Sequence, residues 1–258
     1  MAELILLEMI ENVAVVTINN PEVRNALSLD VLKALRATLQ EINSQCDARA
    51  MVLTGAGEHF CAGGDISGMT HERSVRESRA RIPIHAQIAR ELIGGPMPVV
   101  AAVEGWSAGA GLSLVAAADY VVSSSEAKYS AAFGKMGLLP DLGLLWSLPQ
   151  RIGPVQAKRM FFTGRVVDAE QALQLGLADQ LCEPGCALSS ALELAREYGA
   201  CAPLSTAVIK SSYATGMATL EDALRCELDN QPGLFQTKDH REAVNAFLEK
   251  RKPVFRNT

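Results

Sequence analysis

Phe60-Cys61-Ala62-Gly63-Gly64-Asp65 and Gly105-Trp106-Ser107-Ala108-Gly109-Ala110-Gly111-Leu112 are the two segments on which the reading of this chain turns. Each follows a short apolar run that reads as a buried strand, Ala50 to Thr54 before the first and Pro98 to Val103 before the second. The second opens onto an apolar stretch, Ala110 to Ala118, that predicts a helix. A strand end that turns through glycine exposes backbone N–H groups with no side chain in the way. One N–H from each segment could grip a single developing negative charge, which is the geometry of an oxyanion hole.

Working outward, Val13 to Asn19 reads as a strand ended by Asn20-Pro21. Ser28 is placed to cap a helix whose buried face is Leu29, Leu32, Leu35, Leu39 and Ile42. His71 to Ile93 is charged and partly helical, and Pro83 is expected to break or kink it. Tyr120 to Val122 is a further strand. Pro154 suits a helix start and Gly164 its end; Asp168 caps Ala169 to Leu175, stopped at Gly176. Helices are then predicted over Leu188 to Tyr198, Leu204 to Tyr213, Leu220 to Leu228 and Asp239 to Arg251, with Pro203 as a hinge. Strands and helices thus alternate over the first two-thirds, and the last quarter is helical.

The 258 residues are 48% hydrophobic and 21% charged, the balance of a globular chain with one large domain or one domain and an appendage. A formal net charge of -5 argues against binding nucleic acid or an anionic membrane without specificity. Cys46, Cys61, Cys182, Cys186, Cys201 and Cys226 form no Cys-x-x-Cys pair, and no His stands near enough in sequence to complete a zinc site. They read as reduced thiols of a cytoplasmic protein, with no metal expected. No apolar run is long enough to span a bilayer, and the first residues lack the basic stretch of a signal peptide.

The chain resembles the crotonase superfamily, the enoyl-CoA hydratases and isomerases. The resemblance rests on Asn20-Pro21-Glu22-Val23-Arg24-Asn25-Ala26-Leu27, Phe60 to Ile66, Gly105 to Leu112 with Asp119, Gly137 to Asp141, Thr163-Gly164, Ala172 to Leu177, and Phe247 to Lys252. It implies an α/β fold, a crotonase-like spiral of repeated ββα units over residues 1–200, and a C-terminal helical trimerisation region over residues 201–258. It also implies a homotrimer or hexamer acting on an acyl-CoA thioester, with no cofactor besides the coenzyme A of the substrate. In this pattern the oxyanion donors fall on the N–H groups of Gly64 and Ala110. Ala110 stands where most members carry glycine, a change that keeps the N–H.

Hydratases of the family use two glutamates, and the matching positions here hold Ser113 and Phe133. Neither can serve as a carboxylate acid or base, a contribution of about 10²–10⁴-fold each. A carboxylate does stand at Asp141, where several family isomerases place a single acid/base. One carboxylate suits a shift of a double bond from 3-enoyl to 2-enoyl thioester, and Leu138, Leu139, Leu142 and Phe133 are expected to keep water from it. Isomerases of bacterial phenylacetate degradation carry a similar Pro-Asp motif, so an aromatic or epoxide acyl-CoA is a further option. The alternative for Asp141 is a turn residue, since Pro-Asp-x-Gly is good turn chemistry. Rival functions are another crotonase activity, hydration included, and an acyl-CoA binder without turnover. A nucleic-acid-binding role, known for a few relatives, is disfavoured by the acidic balance.

The resemblance further assigns Arg24 to the CoA phosphates and Ala26, Ala62, Asp65 and Ile66 to the wall of the adenine pocket. Phe133 falls to the substrate site, and Lys250 to a CoA contact from a neighbouring subunit. Arg24 also reads as a surface arginine, and Lys250 as a basic helix end. Cys61 reads as a small packing residue, because no triad partner for it is visible. Gly55-x-Gly57 and Gly109-x-Gly111 follow strands, but neither completes a dinucleotide fingerprint. His59, His71, His85 and His240 lack ligand spacing and read as surface or loop residues; Trp106 reads as a pocket-wall aromatic and Trp146 as core.

Overall fold

The computed structural model describes residues 3–45, 47–66 and 74–258; Cys46, Met69 and His71 fall outside the described residues. β1 (Ile5–Ile10) and β2 (Val13–Ile18) form an antiparallel hairpin. β3 (Ala50–Gly55), β4 (Val99–Val103), β6 (Tyr120–Ser124) and β9 (Gln180–Cys182) continue the sheet in parallel, in the order β1-β2-β3-β4-β6-β9. A second sheet sets β5 (Trp106–Ala108), β7 (Lys128–Ser130) and β8 (Val166–Asp168) side by side. β4, β5 and α3 (Ala110–Ala116) make one turn of a spiral; β6, β7 and α4 (Leu144–Thr163) make the next. This is the ββα spiral that the resemblance implies.

β3 and β4 are almost wholly apolar and buried because helices cover both faces. Val15, Val52 and Val100 stand in register on one face, over the small residues Ala187, Ala191 and Ala195 of α6 (Ala187–Gly199). Alanines at i, i+4 and i+8 let that helix lie close to the sheet. Val16, Leu53 and Ala101 face the opposite way, into a larger core with α1 (Leu29–Gln45). There Leu32, Leu35, Leu39 and Ile42 are buried as the spacing predicts, and Ser28 Oγ accepts the Val31 N–H at 3.2 Å.

α2 (Val75–Gly94) begins at a Ser74/Glu77 capping box and runs through Pro83 without a break, correcting the sequence expectation of a break there. The proline removes the N–H that the Arg79 carbonyl would accept. Both residues lie on the exposed side, where water can take that bond. α4 has two limbs meeting at Gly153 (φ 73°, ψ 156°), so Pro154 starts the second limb and left-handed Gly164 closes it. Asp168 caps α5 (Ala169–Leu175) by accepting the Gln171 N–H at 2.8 Å, and left-handed Gly176 ends it. α7 (Pro203–Thr215) packs on α2. α8 (Leu220–Leu234) and α9 (Lys238–Leu248) follow, with the chain end folded back so that the Arg256 and Asn257 N–H groups donate to Asp239.

Candidate active site

The two glycine segments are laced together along the ends of β3 and β4. Cys61 N–H donates to the Trp106 carbonyl at 2.9 Å, and Ala108 N–H donates to the Cys61 carbonyl at 3.0 Å. This approach leaves no room for side chains. A Cβ at Gly111 would stand 2.3 Å from the Cys61 carbonyl oxygen. At Gly63, whose φ is +103°, it would stand 2.7 Å from the Ala108 oxygen and 3.5 Å from the Ala110 nitrogen.

Both expected donor residues line the same space. Gly64 bridges Leu27 in parallel, but the bonds run from Leu27 N–H to Gly63 O (2.7 Å) and from Asp65 N–H to Leu27 O (3.3 Å). In a parallel bridge the N–H of the residue between those two points the other way. Ala110 is the first residue of α3, and Ser113 N–H to Gly109 O (3.2 Å) is a first-turn bond of that helix. The Ala110 N–H therefore precedes the intrahelical ladder. Gly64 and Ala110 both line a cavity of about 450 Å³.

Asp141 lines the same cavity. It sits between the 3-10 helix Ala132–Met136 and α4, in a turn made by left-handed Leu142 (φ 49°) and Gly143 (φ 80°), with its carbonyl accepting the Leu144 N–H at 3.0 Å. The turn chemistry read from Pro-Asp-x-Gly and the placement at the cavity are thus both present. Asp141 Oδ2 lies 3.2 Å from His85 Nδ1, an ion-pair distance without hydrogen-bond alignment, and Oδ1 is buried with no hydrogen-bond partner among the described residues.

The rest of the wall is Leu27, Ser28, Leu29 and Leu32 near α1; Asp65 from the first glycine segment; Ser78, Arg81, Ile82 and His85 from α2; and Leu138 and Leu142. The apolar screen is narrower than expected: Leu139 is 72% exposed, and neither it nor Phe133 lines the cavity. Ser113 is buried in α3 with its Oγ donating to the Gly109 carbonyl, and Phe133 is buried in the core. Of the remaining expected positions, Asp65 is on the wall. Arg24 is exposed at the end of a 3-10 turn, its carbonyl accepting the Ala62 N–H at 2.9 Å. Ala26 is buried, Ala62 and Ile66 are exposed, and Lys250 is exposed beyond α9; none of these lines the cavity.

Burial pushes the Cys61 thiol up to about 12, so at neutral pH it is a protonated packing group. Trp106 is a pocket-wall aromatic as expected, but of a separate cleft of about 490 Å³ with His59 and Lys128. One aromatic assignment is corrected. Trp146 is 41% exposed, not core. His85 is a further correction: it lies on α2 beside Asp141, not in a loop. Ser78, Arg81, Ile82 and His85 follow i, i+3, i+4, i+7 spacing, which would have put them on one helical face had Pro83 not argued against a continuous helix. A larger cavity, about 720 Å³, lies against α3, α4 and α7 and holds the ion pair of buried Lys210 with Asp119, away from the two N–H groups. Among the described residues no cluster of His, Cys, Asp or Glu could hold a metal, and no helix is long and apolar enough to cross a membrane.

Comparison with known proteins points one way. The sequence profile of the enoyl-CoA hydratase/isomerase family matches residues 8–258. A short-chain-enoyl-CoA hydratase of Clostridium acetobutylicum is 34% identical over 250 residues, covering 96% of this chain and 95% of the relative. A 1,2-epoxyphenylacetyl-CoA isomerase of Escherichia coli is 32% identical over 263 residues, covering 99% of both. The crystal structure of an enoyl-CoA hydratase from Bacillus anthracis superposes with a TM-score of 0.93 at 28% identity, over 99% of this chain and all of the other. A match over almost the whole length, on a spiral whose paired glycine segments open on one cavity, makes this chain a member of the enoyl-CoA hydratase/isomerase family of the crotonase superfamily.

Proposed function

We propose that this protein is an isomerase that moves a carbon–carbon double bond in an acyl-CoA thioester, with Asp141 as its single acid/base. The observation that carries the reading is the Asp141 carboxylate on the wall of the cavity that Gly64 and Ala110 also line. Asp141 takes a proton from Cα of a 3-enoyl thioester. The C–H electrons form a double bond between Cα and the carbonyl carbon as the thioester C=O pair moves onto oxygen, giving a dienolate with negative charge on that oxygen. The Gly64 and Ala110 N–H groups hold that charge; a lost donor of this kind costs about 10²–10³ in rate. When the carbonyl re-forms, the double bond at Cα shifts to Cα–Cβ and the old Cβ–Cγ pair takes up the proton that Asp141 returns at Cγ; no water is consumed. The absence of carboxylates at Ser113 and Phe133 favours this over hydration. Similarity to the Escherichia coli epoxyphenylacetyl-CoA isomerase favours the same class and extends it to ring-bearing acyl groups.

The test is to incubate 3-enoyl-CoA and 2-enoyl-CoA separately with wild type, Asp141→Asn and Asp141→Ala. Conversion of the 3-enoyl substrate that falls about 10²–10⁴-fold in both variants is expected. Rapid hydration of 2-enoyl-CoA, undiminished in the variants, would refute the reading in favour of a hydratase.

A further inference from the structure

We propose that His85 is a positioning residue for Asp141: its imidazole stands against the carboxylate on the cavity wall and limits the carboxylate's torsion. This rests on the reading of Asp141 as the acid/base. The terminal torsion of an aspartate is broad and roughly two-fold, so an unheld carboxylate presents either oxygen in a range of orientations. Here Oδ2 is 3.2 Å from His85 Nδ1, and Oδ1 is enclosed, without a hydrogen-bond partner among the described residues, so the imidazole is the polar group that limits how the carboxylate turns.

The placement of His85 is built into the packing. Ile88, Ala89 and Leu92, on the turns after His85, are buried and fix the azimuth of α2. Gly143, two residues beyond Asp141, faces that same helix, and a Cβ there would stand 3.4 Å from both Ala89 Cβ and Ile93 Cδ1. The turn that carries Asp141 is therefore seated one helical turn from His85. The contact is at ion-pair distance but off the hydrogen-bond line, as catalytic contacts often are before substrate tightens them.

The experiment measures kcat and KM for 3-enoyl-CoA in His85→Ala, His85→Asn and Asp141→Asn, with thermal unfolding of each. The expected result is a fall in kcat of roughly 10–10²-fold in His85→Ala, the scale of a misplaced group, with KM within about twofold and an unchanged unfolding temperature. His85→Asn, which sets an amide N–H near the place of Nδ1, should recover part of the loss, and so should added imidazole with His85→Ala. An unchanged kcat in His85→Ala, or a loss that His85→Asn and imidazole leave unrelieved, overturns the inference. If Asp141→Asn is inactive in that outcome, the isomerase reading stands alone. If Asp141→Asn keeps full activity, both fall.

Discussion

Replacing Gly111 by alanine tests whether the close lacing of the two glycine segments is what makes the site. The new Cβ would start 2.3 Å from the Cys61 carbonyl oxygen and 2.9 Å from Cys61 Cβ, where ordinary contact begins at 3.4 Å. The strand of Cys61 and the helix of Gly111 must then part by about 1 Å, since neither neighbour is the tip of a flexible side chain. That displacement carries Gly64, three residues after Cys61, away from Ala110, which adjoins Gly111. A misplacement of about 1 Å at a reacting centre can cost on the order of 10²-fold. Stability changes less. Overpacking costs about 1–3 kcal/mol, and alanine returns about 1 kcal/mol of helix propensity over glycine. The net of about 0–2 kcal/mol, at about 2–4 °C per kcal/mol, lowers the unfolding temperature by less than about 8 °C. The assay pairs isomerisation rate with thermal unfolding and uses Gly233→Ala as control, because Gly233 sits in α8 with nothing near its would-be Cβ. A Gly111→Ala protein that turns over at the wild-type rate would refute the argument that this spacing sets the donor pair.

Two further outcomes concern stability. Glu242 accepts from Arg251 and from the Val254 N–H, which hold its carboxyl at about 2 against an ordinary 4.5. With the folded value depressed, its contribution is complete above 4.5 and lost as pH falls toward 2, so Glu242→Gln should flatten the wild-type fall in unfolding temperature over that window. Identical slopes would count against it. Asp119 accepts from the Lys210 ammonium and the Val99 N–H, and burial pushes Lys210 below its ordinary value while Asp119 opposes the shift. Asp119→Ala strands that buried cation and should cost about 3–5 kcal/mol in urea unfolding, most of it recovered by adding Lys210→Met; a single-variant cost below about 1 kcal/mol would contradict the pairing.

The elements that were legible in the chain are those whose signals are local. Ser28 before a leucine face, Asp168 with Gly176 around α5, and Pro154 with Gly164 around the second limb of α4 each bring their own start or stop, and each is in place. The three-residue strands β5, β7, β8 and β9 were not legible. A strand that short has too few side chains to show alternation, and it exists because of a distant partner, as when Lys128 pairs with Asp168. β1 was missed for a related reason: on this edge strand Leu6 and Met9 are apolar yet exposed, so the two faces do not alternate in residue type. Pro83 misled because the rule against interior proline assumes that the freed carbonyl has no other partner.

For the site, the sequence by itself determined the two glycine segments, the missing glutamates at Ser113 and Phe133, and the carboxylate at Asp141. These are matters of residue type and order, which a chain carries whether or not it is folded. The tertiary structure alone decided that Gly64, Ala110 and Asp141 border one cavity, that Leu139 turns outward, and that His85 stands 3.2 Å from Asp141. His85 and Asp141 are separated by more than fifty residues and meet through the packing of α2 on the turn at Gly143. Contacts of that range depend on how the core closes, and no local pattern of residues encodes them.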